Sequence, residues 1–366
     1  MVARQLSRRQ LNRTLLARQH LLQRATLDSA TVIESLVALQ SQIPNPPYIG
    51  LWTRLRRFER DELTRLLETR QVVRAPWLRS TLHLVTAADH QRFQAVIQPA
   101  LARGLRSFFG ARARGLDIER LIQIARPYLE AESPAIGALR DQLLEHVPDR
   151  DKQAMAYAVR SYLPLVQVPP SGTWGVGTRA TYTTAESWLG PPEPADLGAL
   201  FRRYLAAFGP ASVMDFQTWT GMTGLKTQLA ATVDELVVYR DEAGKACYDL
   251  PGLAIEDADA PAPIRFLPEY DNILIAHKDR ARILPEEQRK KVFVSAGRVL
   301  GSVIIDGFVG AIWSMRREKA RAVLQVSLFE SPGDEARAAI REEGLALLRF
   351  IVDDADEFSV EFTRRP

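Results

Sequence analysis

Gln40 and Gln42 are two primary amides two residues apart, where an apolar-periodic helix runs into the proline-stiffened exit Ile43-Pro44-Asn45-Pro46-Pro47. A carboxamide is no general base near neutral pH, but it donates and accepts hydrogen bonds. It can orient a water molecule, and its carbonyl dipole can support a developing positive charge. Proline at 44 disfavours the α conformation at Ile43, so the helix, read as 29–41, should end near the pair. If the chain is extended there, residues two apart point the same way and the amides converge. The bland alternative is that an isolated Gln-x-Gln merely solvates a helix end.

Other residues invite chemistry less strongly. In Arg79-Ser80-Thr81-Leu82-His83, Thr81 and His83 share a strand face opposite Leu82 and Leu84. They either line a site or make a structural hydrogen bond between packed units. Trp77 packs in a core or stacks on a ligand, and the core is the simpler reading. Glu269, Asp271 and Asn272 form an acidic knot that reads as a capped turn, with His277 and Asp279 beyond it. The five histidines show no ligand spacing and Cys247 is the only cysteine, so neither a metal site nor a disulfide is expected. The chain contains no glycine-rich phosphate loop and no nucleophilic serine elbow, so ATP, NAD and covalent serine chemistry are unsupported and no cofactor is expected.

The elements that must carry these residues follow from spacing. Helices are predicted at about 8–22, 29–41 and 60–70, then strands at Val72-Val73 and 80–85. The order recurs: helices at 87–109, 117–131, 134–146 and 151–162 precede strands at 165–168 and 178–183, with the loop 169–175 between them. It recurs again with helices at 196–207, 211–219 and 223–230 before strands 236–240 and 246–250. Helices followed by a two-stranded wing form the winged-helix pattern. After a linker at 256–263, strands are predicted at 264–267, 273–275, 292–294, 299–305, 309–315 and 322–328. A helix at 333–352 and a strand at 357–362 close the chain.

A length of 366 residues and a hydrophobic content of 46% fit a multi-unit globular protein. No long uncharged apolar run and no apolar leader is present, which points to a soluble, cytoplasmic protein. Net charge is only +4, yet residues 1–27 hold six arginines and no Asp or Glu. That cluster, with Arg8, Arg9 and Arg13 on the first helix, is expected to attract nucleic-acid phosphate. Two further basic segments contain Arg280 and Arg282, and Arg316, Arg317 and Lys319. The second is a hairpin tip that either enters a groove or is simply solvated.

The stretches VALQSQIPNPPYIGLW, RAPWLRSTLHLV, FLPEYDNILIAHKDR and IIDGFVGAIW resemble the AlkZ/YcaQ-type winged-helix DNA glycosylases, over about Leu6 to Phe362. Gln40 and Gln42 match the Gln-x-Gln catalytic motif of the AlkZ-like branch, where the YcaQ-like branch ends in Asp. Ser41 departs from the commoner apolar middle residue. The resemblance implies an α+β fold of three tandem winged helices around a concave DNA-binding surface, plus a C-terminal β-barrel-like domain. The implied segments are 1–90, 91–190, 191–255 and 262–366. It further implies a glycosylase acting on alkylated purines in double-stranded DNA; because the chain has seven lysines and none near Gln40 in sequence, a monofunctional enzyme without a lysine Schiff base is expected, and a monomer. Gln40 and Gln42 would be catalytic and a basic hairpin would probe the lesion, while Arg79, Thr81 and His83 stay candidates for lining the site beside their structural reading. Some relatives resist DNA-alkylating natural products, including crosslinkers, so the role is general repair or self-resistance. The amide pair fits such a substrate physically. A purine alkylated on a ring nitrogen is cationic and leaves neutral, so it needs less help than an ordinary glycosidic bond, where two carboxylates are usual. A non-enzymatic winged-helix regulator is the alternative.

Overall fold

The computed structural model describes residues 3–177 and 179–364. In its first third, α1 (Arg8–Arg18) starts at a Ser7/Gln10 capping box and α2 (Ser29–Ser35) starts at an Asp28 cap. Next come β1 (Leu39–Gln40), α3 (Pro46–Trp52), α4 (Arg60–Glu68), β2 (Val72–Pro76) and β3 (Leu82–Thr86). These strands form an antiparallel sheet in the order β1-β3-β2. A second set, α5 (Ala87–Phe109), α6 (Ile118–Glu132), α7 (Ile136–His146) and α8 (Lys152–Tyr162), leads into the antiparallel pair β4 (Leu165–Gln167) and β5 (Tyr182–Thr184). Thr178, the predicted start of that second strand, lies outside the described residues.

A third set follows, consisting of α9 (Ala185–Leu189), α10 (Leu197–Phe208), α11 (Val213–Thr220), α12 (Leu225–Gln228) and α13 (Ala230–Asp234). It ends in the antiparallel pair β6 (Val237–Arg240) and β7 (Ala246–Asp249). Three times, then, helices lead into a small antiparallel sheet, three-stranded in the first set and two-stranded in the others. No helix among the described residues is long and apolar enough to cross a membrane.

The C-terminal part contains β8 (Arg265–Leu267), α14 (Arg289–Val292), β9 (Ser302–Ile305), β10 (Phe308–Glu318), β11 (Arg321–Leu328), α15 (Asp334–Ile351) and β12 (Glu357–Arg364). The expected barrel is not there. The five strands run in one line, β12-β11-β10-β9-β8, and the end strands do not pair, so the sheet is open. Helix α15 explains why it need not close. Ile340, Leu347 and Leu348 bury against Phe266, Leu324 and Val360, so one sheet face is covered by a helix. Two predicted strands are also absent. Residues 272–274 form a 3-10 turn capped by Asp271, and Val292 ends α14.

Two departures fall on the motif itself. The helix expected to run to 41 stops at Ser35, and Val37 takes a left-handed φ of +68°. That conformation is costly for a β-branched residue. Leu36, Val37, Ala38 and Leu39 are all buried, and the chain turns inward so that Leu39 and Gln40 pair with Leu84 and His83. Tertiary pairing therefore overrides helix continuation. Second, the proline exit is itself a helix start. Pro46 and Pro47 occupy the first turn of α3, where no backbone N–H is needed.

One apolar core joins α1, β2, α5, α10 and α11 to Leu267, Ile273–Ala276 and Ile304. Val37 and Ala38, just before Gln40, belong to that shared core.

Candidate active site

Gln40 is set by three neighbours. Its backbone N–H donates to Asn272 Oδ1 (3.1 Å), while Asn272 Nδ2 donates to the Ala38 carbonyl. Asn272 thus brackets β1 from the C-terminal part. It is placed by Asp271, whose carboxylate is gripped by both arms of Arg54 at 2.8 Å, with neither side chain exposed. A fork-on-fork pair of this kind fixes geometry as well as charge. Arg54 follows α3 directly, so the helix start made by the prolines leads to the clamp on the strand before it.

The segment after Gln40 is held by Arg74 of β2. Its guanidinium donates to the Ser41 carbonyl (2.7 and 2.9 Å), Ser41 Oγ (3.0 Å), the Gln42 carbonyl (3.3 Å) and Gln167 Oε1. Ser41 is therefore buried and satisfied, which accounts for a polar residue at the middle position. Gln42 is exposed, and its Oε1 lies 3.4 Å from the Leu82 N–H.

Arg79 comes from the 3-10 turn at Leu78–Ser80, where Arg79 and Ser80 both have positive φ (+54° and +62°). Its Nη2 donates to Gln40 Oε1 at 3.0 Å, and its Nη1 donates to the Trp219 carbonyl in the last turn of α11. A cation at a helix C-terminus is favourably placed. Gly221, in the left-handed region at φ +78°, lets α11 close against this turn: a Cβ there would lie 3.1 Å from Arg79 Cα.

His83 is fully buried opposite Gln40. Its Nδ1–H donates to the Thr81 carbonyl (3.0 Å), which turns the Nε2 lone pair towards Arg79 Nη2 at 3.5 Å. Burial, and next the Arg79 charge, push its pKa down to about 3, so the ring is neutral. Thr81 closes the 3-10 turn by donating to the Leu78 carbonyl. Arg79 and Arg74 are both pushed down to about 10, mainly by burial, and remain charged at neutral pH. Among the described residues neither has a carboxylate at ion-pairing distance. The structure thus brings Gln40, Arg79 and His83 together, with Thr81 behind the histidine. Trp77 is a core residue against His90, with ring centroids 5.1 Å apart.

The expected phosphate contacts divide. Arg13 is buried, bonded to Asp306, the Ala260 carbonyl and Asn12, and so cannot reach a phosphate. Arg282 is likewise buried and donates to the Pro210 carbonyl. Arg280 is half-buried, donates to the Leu274 carbonyl and packs on Phe293. These three ties hold the fold. Arg9 binds Asp306, and Arg8 is exposed with its backbone N–H on Glu242. Arg316, Arg317 and Lys319 stand exposed at the β10–β11 tip, with Arg316 on Glu361 and Glu318 and Arg317 on Asp354.

Sequence reasoning missed Arg74, Arg54 and the bracketing by Asn272. One signal was available for Arg74, because a charged residue between Val73 and Ala75 interrupts an otherwise apolar strand.

Comparison with known proteins places the chain in a family. A family described as DNA glycosylase AlkZ-like matches residues 33–350. A curated relative from Streptomyces sahachiroi, named "Interstrand DNA cross-link repair glycosylase", is 25% identical over 325 residues, covering 81% of this chain and 85% of its own. The solved structure of Streptomyces sahachiroi DNA glycosylase AlkZ superposes with a TM-score of 0.79 at 19% identity. It covers 98% of this chain and 100% of that one, which shows the shared fold.

Proposed function

Because the chain belongs to the AlkZ-like DNA glycosylase family, we propose that it is a monofunctional, monomeric enzyme hydrolysing the N-glycosidic bond of alkylated purines in duplex DNA. We include interstrand crosslinks, which the Streptomyces sahachiroi relative is named for repairing. Membership of a glycosylase family makes it an enzyme acting on DNA and sets the regulator alternative aside. The observation that carries the finer reading is Gln40, half-exposed, its backbone held by Asn272 and the β3 pairing and its side-chain amide by Arg79. Amides rather than carboxylates front the site, which suits a leaving group that is already cationic.

In this reading Gln40 and Gln42 act on the reacting atoms, placing the water and supporting the oxocarbenium-like transition state. The three helix-and-strand-pair sets would be the tandem winged helices, with segments near 1–90, 91–190 and 191–255 and a C-terminal part at 262–366. Their concave side would hold the duplex, with Arg8 and the Arg316–Lys319 tip touching phosphate. A lysine Schiff base is not needed.

The test is base release from a defined duplex carrying a ring-nitrogen-alkylated guanine, with abasic sites revealed by alkali. Wild type should release the base. Gln40→Ala and Gln42→Ala should each cut release by on the order of 100-fold or more with duplex affinity nearly intact. Equal loss of binding and cutting would overturn the roles given to the glutamines.

A further inference from the structure

The two glutamines are not equivalent. A guanidinium has donors only, so the Gln40 atom that faces Arg79 Nη2 at 3.0 Å must be its carbonyl oxygen, whichever way the amide is drawn. Arg79 cannot turn aside to accommodate the opposite orientation. Its other arm is on the Trp219 carbonyl, its backbone sits in a left-handed conformation, and α11 closes on it at Gly221. The His83 Nε2 lone pair faces the same Nη2. A flipped amide would set its NH2 against a cation that, among the described residues, has no carboxylate at ion-pairing distance to soften the clash. Gln42, by contrast, is exposed, and among the described residues its side-chain amide has one partner, the Leu82 N–H at 3.4 Å, beyond the usual range of a firm hydrogen bond. Its carbonyl can readily turn to a water.

We infer that Arg79 is a positioning residue that fixes the polarity of the Gln40 amide, so that Gln40 presents its N–H2 to the departing base while Gln42 handles the hydrolytic water. This division rests on the glycosylase reading above. The bond changes balance simply. The C1′–N bond breaks with its electron pair going to the base. Water oxygen bonds to C1′, and the proton of that water passes to solvent. As electrons arrive on the base, an acceptor at its edge becomes a better partner for a fixed N–H. The Gln40 bond therefore strengthens in the transition state. The Gln40 carbonyl, pinned by Arg79, is not the dipole that faces the developing cation. That differs from what two interchangeable amides would do.

Single-turnover excision from the alkylguanine duplex tests this, with duplex Kd and melting temperature measured for each variant. Arg79→Met should slow excision by about 10- to 100-fold with Kd within about threefold. Arg79→Lys, which keeps one donor and the charge, should recover part of the rate. The loss should vanish in a Gln40→Ala background, because Arg79 acts through Gln40. Gln40→Glu keeps an oxygen for Arg79 but offers an acceptor in place of N–H2, so it should be as slow as Gln40→Ala. Equal loss from Arg79→Met in both backgrounds, or a wild-type rate for Gln40→Glu, would overturn the assignment. If Arg79→Met melts below the assay temperature, Gln40→Glu at the half-exposed position decides alone. No release by wild type would instead remove the glycosylase reading itself.

Discussion

In the N-terminal segment most arginines meet carboxylate, whereas beside Gln40 the described partners of arginine are neutral atoms. Arg9 and Arg13 share Asp306, Arg18 takes Asp249 and Arg24 takes Glu343. Arg74 and Arg79 donate to carbonyls, a hydroxyl, side-chain amides and one imidazole. The first group has carboxylate partners, from the buried Asp249 to the exposed Asp306, and its charge is cancelled at short range. The second leaves positive charge at a site margin where, among the described residues, no carboxylate lies at ion-pairing distance. A run of arginines in a sequence therefore does not mark a DNA-binding face. What separates the groups is where the matching carboxylates sit, and for α1 they lie more than 200 residues downstream.

The sharpest way to break the contrast is to remove a buried partner. Arg54→Ala would strand the Asp271 carboxylate where neither side chain sees solvent. Losing one partner of such a pair costs about 3–5 kcal/mol, so the denaturant midpoint should fall steeply. Asn272, next to Asp271, brackets β1, so excision should fall even at temperatures where the protein stays folded. A midpoint close to wild type would show that the pair is not the anchor of the strand.

Arg13→Ala is the second test, with a smaller effect. It leaves the Ala260 carbonyl and Asn12 Oδ1 without a donor, at roughly 1–3 kcal/mol. Its decisive readout is binding: the slope of log affinity against log salt should not change, because a buried, paired arginine releases no counter-ions from DNA. A slope reduced by about one would return Arg13 to the DNA surface.

The same contrast explains what was legible in the sequence. Long periodic helices such as α5 (Ala87–Phe109), α10 (Leu197–Phe208) and α15 (Asp334–Ile351) lie close to where apolar spacing puts them, and so does the β10–β11 hairpin. Local spacing is enough there. The two-residue strand β1 was not legible, because it exists only through Leu84, His83 and Asn272, all remote in sequence. The start of α3 was hidden because the same prolines that end one helix begin another. The barrel expectation failed because strand count does not say whether a helix will cover the sheet. At the site, Gln40 and Gln42 stood out through family resemblance. Arg79 and His83 stood out as polar residues on a strand pair, but the arrangement that pins one amide and leaves the other loose is purely tertiary.

The smallest expected effect on stability, and the most specific on binding, lies at the β10–β11 tip. Arg316 and Arg317 are paired too, but here the arginines themselves stand exposed, on Glu361, Glu318 and Asp354. Exposed pairs contribute about 0–1 kcal/mol, so phosphate can displace them at little cost. Replacing Arg316, Arg317 and Lys319 together with alanine should leave the melting midpoint almost unmoved. It should flatten the salt dependence of duplex affinity by roughly 0.9 for each phosphate that the tip neutralises in the wild type. Excision from saturated duplex should stay near wild type, because these residues lie outside the Gln40 cluster. A salt slope identical to wild type would make the tip a solvated turn. Arginine pairing would then no longer separate structural from DNA-facing charge in this protein, since an exposed, weakly paired set would have proved as inert towards DNA as the buried one.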